Sequence, residues 1–161
     1  MNGSRAAAGS ALFFALAPGV VVGVVPWWLT RWQPGAPRFL EQLCGVLLVT
    51  ASMPLLISSF VRFVLDGRGT PAPVAPTERL VIRGAYRYVR NPMYVAVVAG
   101  IAGQALVLDR AILGGYAVIA FVVMALFVRF YEEPTLRAKY GAEYVAYCAA
   151  VPAWLPRWRL R

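Results

Sequence analysis

The 161 residues are 60% hydrophobic and only 14% charged, and their formal net charge is +9. Soluble domains carry about 25% charged residues, so this composition excludes an ordinary soluble enzyme and favours an integral membrane protein. Most basic residues are arginines at the edges of apolar stretches, a pattern typical of membrane topology that argues against nucleic-acid binding.

Four apolar stretches are candidate spans, since a helix needs roughly 20 residues to cross a hydrocarbon core of about 30 Å. The third is short unless Pro92 already starts it. Only residues 109–111 separate the last two, so these are expected to form an antiparallel hairpin. The sequence therefore predicts an all-α, polytopic membrane bundle of about four transmembrane helices. The predicted spans are Ala11 to Leu29, Leu43 to Leu65, Tyr94 to Leu108 and Ile112 to Phe130.

The distribution of Lys and Arg predicts the orientation of this bundle. Four spans place both termini on one side, together with the basic residues of 68–90 and 137–161. The other side keeps Arg31, Arg38 and Arg110. By the positive-inside rule, the termini, the loop 66–93 and the tail are predicted to be cytoplasmic.

The composition changes at residue 66, where the segment DGRGTPAPVAPTE begins. Its glycines and prolines disfavour a helix and predict an extended segment along the membrane surface. We therefore divide the chain into an N-terminal transmembrane hairpin, residues 1–65, and a second part, residues 66–161. The second part contains the Pro-rich loop, the other transmembrane hairpin and a C-terminal tail.

A polar cluster, GAYRYVRNPMY, precedes the third span. Asn91 followed by Pro92 is a helix-start signal, because Asn can accept from free amide groups and Pro is tolerated at the first helical position. The free N–H groups of such a start, with Arg87 and Arg90 beside it, could hold a carboxylate or phosphate. The alternative is a helix cap flanked by arginines that only set topology.

A second polar cluster, EEPTLRAKYGAEYVAY, follows the fourth span. Glu132 and Glu133 are expected at the C-terminal end of a membrane helix, where the helix dipole disfavours negative charge. A cation must therefore compensate the negative charge of these carboxylates. It could be an arginine that forms an ion pair with one of them, or a cationic ligand. The candidate arginines are Arg87, Arg90 and Arg129.

Beyond Pro134, aromatic and apolar residues recur at helical spacing and predict a cytoplasmic interfacial helix interrupted by Gly141. This helix is either an aromatic belt on the membrane or a lid whose tyrosines close over a planar ligand. The recurring residues are Leu136, Tyr140, Tyr144 and Tyr147.

Inside the third span, Gln104 is the one clearly polar side chain, and a hydrogen bond to another helix is favoured over a substrate contact. Gly100 and Gly103 nearby would let another helix approach closely. The absence of histidine excludes an imidazole metal site, and Cys44 and Cys148 lack metal-ligand spacing. No metal is therefore expected.

The two polar clusters, one helical hairpin apart, closely resemble the isoprenylcysteine carboxyl methyltransferase and phospholipid methyltransferase superfamily. The resemblance covers residues 66–158 and includes the Arg-Asn-Pro-Met-Tyr core, the Glu-Glu pair and the closing Val-Pro and Leu-Pro-Arg. The chain departs from the pattern at two positions. Asn91 stands where many relatives have His, and Ala153 stands where an arginine is expected.

The resemblance implies a membrane enzyme that binds S-adenosylmethionine in a cytoplasmic pocket and methylates a lipophilic acceptor from the bilayer. It assigns no general base. Methyl transfer is a direct displacement that depends mainly on alignment, so the lack of histidine is no objection. The start of the third span would bind the cofactor's carboxylate. The acidic pair would bind its ammonium and ribose hydroxyls, and the tail tyrosines would bind its adenine. These candidate residues are Arg90, Asn91, Tyr94, Glu132, Glu133, Tyr140 and Tyr144, with Gln104 as a weaker candidate for the acceptor.

Two other functions remain open: an NADPH-dependent sterol or enone reductase, and a small non-enzymatic membrane protein. A Rossmann-type methyltransferase is excluded because the chain has neither a G-x-G-x-x-G turn nor a strand pattern. The sequence does not choose among a carboxylate, an amine and a thiol as the acceptor. It also leaves the oligomeric state open.

Overall fold

The computed structural model describes residues 16–67 and 79–156, and these residues form five helices and no strand. The all-α prediction is confirmed for this part of the chain. A 3₁₀ turn, Gly84–Arg87, precedes the third helix. The helices are α1 (Leu16–Thr30), α2 (Phe39–Gly67), α3 (Pro92–Leu108), α4 (Ala111–Tyr140) and α5 (Ala142–Ala150).

Two of the described helices contain a stretch that is long and apolar enough to cross a membrane: Phe39–Phe63 within α2, and α4 (Ala111–Tyr140). The described part of α1 and α3 are shorter apolar helices. Four spans and their orientation therefore stay predictions. Residues 11–15 of the predicted first span, most of the Pro-rich segment and the end of the tail lie outside the described residues.

Helices α2 and α3 approach each other closely at glycines, as the sequence predicted. A Cβ atom added to Gly103 would lie 2.8 Å from Val49 Cγ2, and one added to Gly45 would lie 2.7 Å from the Gly103 carbonyl oxygen. Further along, Gly100 faces Ser52. These contacts show that α2 and α3 run antiparallel, so the C-terminal end of α2 lies beside the start of α3.

Helix α1 contains a π turn, Val20–Val24, followed by Pro26. Because Pro26 has no N–H to donate to the preceding turn, side chains of other helices supply donors there. Gln104 Nε2 donates to the Val22 carbonyl at 2.7 Å, and Tyr116 Oη donates to the Val21 carbonyl at 3.0 Å. The predicted interhelical hydrogen bond of Gln104 is thereby confirmed.

The acidic pair was predicted at the C-terminal end of a helix, and this prediction is wrong, because α4 continues past Phe130 through a π turn, Val128–Glu132, to Tyr140. In this turn the Glu133 N–H donates to the Val128 carbonyl, five residues earlier. Pro134 is tolerated because it follows the π turn in the first turn of the resumed α-helix. The acidic pair therefore lies inside a continuous helix and not at its C-terminal end.

The predicted interfacial helix is divided between two elements. Gly141, with φ of +53°, ends α4 and starts α5, as its helix-breaking position predicted. Tyr140 is the last residue of α4, whereas Tyr144 and Tyr147 belong to α5. The sharp turn at Gly141 is what lets the α5 tyrosines reach back toward α3.

Candidate functional site

The two polar clusters meet at one end of the bundle, as predicted from the α3–α4 hairpin. The chain after α5 closes this end, because the Arg90 N–H donates to the Pro152 carbonyl at 2.9 Å. The Asn91 N–H donates to the Ala153 carbonyl at 3.2 Å. Ring contacts of Trp154 with Tyr94 (centroids 6.4 Å apart) and Phe121 (5.1 Å) hold the same segment in place.

Arg90 lies at the centre of this polar region. Its Nη1 donates to Glu133 Oε1 at 2.8 Å, to Cys148 Sγ at 2.9 Å and to the Tyr144 hydroxyl at 3.3 Å. The Arg90 and Glu133 side chains are only 15% and 11% exposed. Arg129 reaches the other oxygen of Glu133 at 3.4 Å but is 71% exposed. Arg90 therefore ties the start of α3 to α4 and α5 through a largely buried ion pair.

Two polar groups near this ion pair lack a full set of partners among the described residues. Arg90 Nε is buried and has no hydrogen-bond acceptor. Glu132 accepts a hydrogen bond from the Tyr94 hydroxyl at 3.1 Å, but no described arginine or lysine forms an ion pair with it. A partly buried carboxylate with only a neutral donor favours a cationic ligand.

Glu132 lines two adjoining cavities of about 70 and 60 Å³. Ligand pockets usually enclose about 300 to 1,000 Å³. An organic cofactor therefore requires side chains of the lining to move apart. Both cavities are lined by Phe63, Tyr86, Arg90, Asn91 and Glu132. Tyr94 belongs to the smaller, and Leu136, Tyr144 and Tyr147 to the larger.

The tyrosines around the larger cavity remain neutral hydrogen-bond donors. Burial raises the pKa of Tyr86, and the negative charge of Glu132 raises it further. Burial is also the main cause that raises the pKa of Tyr144 and of Tyr147. Tyr147 uses its hydroxyl to donate to the Tyr86 carbonyl at 2.6 Å, which fixes the 3₁₀ turn against α5.

Asn91 does start α3, as predicted, but its side chain makes no capping hydrogen bond. Instead, Asn91 Nδ2 donates to the Ala153 carbonyl at 3.2 Å. The predicted capping role is therefore wrong, because the amide is turned toward the segment after α5. The two positions at which the chain departs from the superfamily pattern thus contact each other.

The structure brings together most of the residues predicted for the site. Arg90, Asn91, Glu132 and Tyr144 line the larger cavity, and Glu133 lies behind Arg90 without lining either cavity. Tyr140 also lines neither, and its ring lies 5.5 Å from the Lys139 ammonium.

Gln104 does not lie at this site. It is thirteen residues along α3 from Asn91, which at 1.5 Å per residue is a distance of about 20 Å. Sequence reasoning missed the lining residues Phe63 and Tyr86. Tyr86 belongs to the first polar cluster, so its position could have indicated it. Phe63 carries no local signal, because only the antiparallel packing of α2 on α3 brings it to the site.

A comparison with protein families identifies the family of the chain. The model of the phospholipid methyltransferase family matches residues 40–143, a segment that contains Glu132, Glu133 and the Arg-Asn-Pro-Met-Tyr core. No curated protein matches the chain. The match extends over more than half of the sequence and does not favour the reductase. The chain therefore belongs to the phospholipid methyltransferase family, within the superfamily of membrane methyltransferases that the sequence resembles.

Proposed function

We propose that this protein is an integral membrane methyltransferase that uses S-adenosylmethionine to methylate a lipophilic acceptor, and that the cavities beside Glu132 mark its cofactor site. The observation that carries the proposal is the convergence of Arg90 from the segment before α3, Glu132 from α4 and Tyr144 from α5 at one end of the bundle. The first two lie within the segment that matches the family.

The polar groups at this end suit the charges of the cofactor. S-adenosylmethionine carries a carboxylate, an ammonium and a sulfonium. Glu132, which lacks a cationic partner among the described residues, suits the ammonium or the ribose hydroxyls. Arg90 Nε, buried and without an acceptor, suits the carboxylate beside the start of α3. The Glu132 carboxylate and the Arg90 Nε atom therefore support a fit between these residues and the cofactor.

The aromatic residues at this end suit the adenine and the sulfonium. Tyr144 lines the larger cavity whereas Tyr140 does not, so we place the adenine contact at Tyr144 and not at Tyr140. Aromatic faces also attract a cation such as the sulfonium. Glu133 acts through Arg90 as a positioning residue, since the ion pair fixes the guanidinium.

When bound, the cofactor supplies the methyl group, and the protein supplies proximity and alignment. The acceptor enters from the bilayer, since α4 carries a long exposed apolar surface next to the site, which includes Phe127 and Phe130. Opening of the two small cavities must accompany binding. Phe63 and Tyr86, whose ring centroids are 6.4 Å apart, are two of the five side chains that line both cavities and would have to move to join them.

The test is a thermal-shift titration of the purified protein in detergent with S-adenosylmethionine, S-adenosylhomocysteine and NADPH. A ligand at about 100 times its Kd adds about 2.7 kcal/mol to stability. We expect a shift with both adenosyl compounds and none with NADPH. A shift with NADPH alone would replace the proposal by a reductase, and no shift with any ligand would replace it by a non-enzymatic function.

The location of the site is tested by Glu132→Gln, with Glu143→Gln as the matched control. Both changes remove one negative charge from α4 or α5, but Glu143 is exposed on α5 and lines neither cavity. We expect Glu132→Gln to weaken the adenosyl-induced shift, and Glu143→Gln to leave it unchanged. Equal shifts in both variants would show that the site lies elsewhere.

A further inference from the structure

A second, much larger concavity lies at the opposite end of the bundle. This distal groove, between α1, α2 and the end of α3, has a volume of about 710 Å³ and is lined mainly by apolar residues, among them Val49, Met53 and Val107. Its Gln104 lies about 20 Å along α3 from Asn91. Its lining residue Leu56 lies seven residues, about 10 Å, along α2 from Phe63 of the candidate cofactor site, so the groove runs from the far end of the bundle to its middle.

The wall that α1 contributes includes two glycines beside Pro18 and Val22. Gly19 and Gly23 both line the groove, and at four residues apart they share one face of the helix. A Cβ atom added to either would meet no atom within 4 Å. These glycines therefore leave open space, in contrast to Gly45 and Gly103, which allow close packing of α2 on α3.

The mouth of the groove is marked by an aromatic and a basic residue. Arg31 and Trp32 end α1 with two consecutive positive φ angles of 52°, which is rare for residues other than glycine. Trp32 lines the groove, and with exposed Trp27 and Trp28 it forms an aromatic group of the kind found at membrane interfaces. This end of the groove therefore lies at the level of the lipid headgroups.

Arg31 does not itself line the groove but directly precedes Trp32, which does. Its guanidinium lies over the Trp27 ring, 4.5 Å from the centroid, and forms no ion pair with a described carboxylate. Arg38, by contrast, pairs with Glu41 at 3.3 Å, and Arg110 donates to the Gln33 carbonyl. A phosphate at the headgroup level would complement the charge of Arg31.

From this combination we infer that the distal groove is a binding site for one glycerophospholipid of the leaflet opposite the cofactor site. One acyl chain lies along the wall formed by Gly19 and Gly23, and the phosphate lies beside Arg31. An apolar groove of this size that opens sideways on a membrane-crossing helix excludes water and admits an acyl chain. The inference does not rest on the proposed methyltransferase function.

The test is native mass spectrometry of the full-length protein in detergent with added dioleoylphosphatidylglycerol. We expect one tightly retained lipid per chain in the parent protein, and its loss in Gly23→Leu, whose side chain fills the groove. Gly115→Leu is the matched control, because a Cβ at Gly115 on α4 also meets nothing within 4 Å but lies outside the groove. It should retain the lipid.

Two further variants keep the inference falsifiable. Met53→Trp fills the groove from α2, and it should also lose the lipid if Gly23→Leu fails to fold. Arg31→Gln should weaken binding of phosphatidylglycerol severalfold. Retention of the lipid by both filling variants, or its equal loss in Gly115→Leu, would overturn the inference.

Discussion

Arg90 and Arg129 both reach the carboxylate of Glu133, and their different burial predicts very different effects on stability. Arg90→Ala removes a partner that is 15% exposed from a carboxylate that is 11% exposed. Breaking a buried ion pair costs about 3 to 5 kcal/mol. Because Arg129 still lies 3.4 Å from Glu133, the lower end of that range, about 3 kcal/mol, is expected.

Arg129→Ala removes a partner that is 71% exposed, and exposed pairs contribute about 0 to 1 kcal/mol. The difference between the two variants should therefore be about 2 kcal/mol or more. Unfolding in mixed micelles with increasing sodium dodecyl sulfate, followed by far-UV circular dichroism, measures it. Arg90→Lys should fall between the two, since it keeps the charge but loses the planar guanidinium.

The reasoning would be refuted if Arg90→Ala and Arg129→Ala differed by less than about 1 kcal/mol. In that case the contacts of Arg90 with Tyr144 and Cys148 would contribute nothing net, and Arg90 would be a ligand-binding residue without a structural role. The adenosyl-induced thermal shift of Arg90→Ala tests that ligand-binding role, and Arg129→Ala is the control, because it should bind the cofactor like the parent.

Three further predictions concern helix packing and protonation. Gly103→Leu should prevent α2 from packing on α3, because its Cβ would lie 2.8 Å from Val49 Cγ2. The yield of folded protein in detergent should therefore drop. Gly114→Leu is the control and should fold normally, because a Cβ there meets nothing within 4 Å. Gln104→Leu removes the donor to the Val22 carbonyl and should lower the free energy of unfolding by about 0.6 to 1.7 kcal/mol; an unchanged value would mean that the carbonyl finds another donor. The raised pKa of Tyr147 means that its stabilisation is complete below about pH 10 and is lost as the pH rises further; absorbance titration should show no tyrosinate difference between the parent and Tyr147→Phe up to about pH 11, and a difference at pH 10 would contradict the burial argument.

The elements that were predicted well from the sequence are those with a local signal. The Asn-Pro dipeptide marks the start of α3, and Asp109 and Arg110 between two apolar stretches mark the α3–α4 turn. Gly103 indicated a close helix contact, and Gly141 indicated a break. Each depends on the conformational preference of one or two residues or on the length of an apolar run, which the sequence displays directly.

The errors arose where neighbouring elements override a local preference. Pro134 predicts the end of a helix, but the π turn before it lets α4 continue. Asn91 predicts a capping side chain, but the carbonyl of Ala153 competes for its amide. Neither the π turn nor the position of the segment after α5 can be derived from local propensity.

By itself, the sequence determined that the chain is a helical membrane protein, which residues bring charge to one end of it, and to which superfamily its ordered motifs are similar. The tertiary structure decided how those charges are divided: Glu133 pairs with Arg90, whereas Glu132 is left with the hydroxyl of Tyr94. It also decided that glycines close the α2–α3 contact but open the distal groove. The physical reason is that apolar runs and helix-start signals are properties of short segments. Ion pairs and cavities depend on the rotation of each helix about its axis, which only packing against the other helices sets.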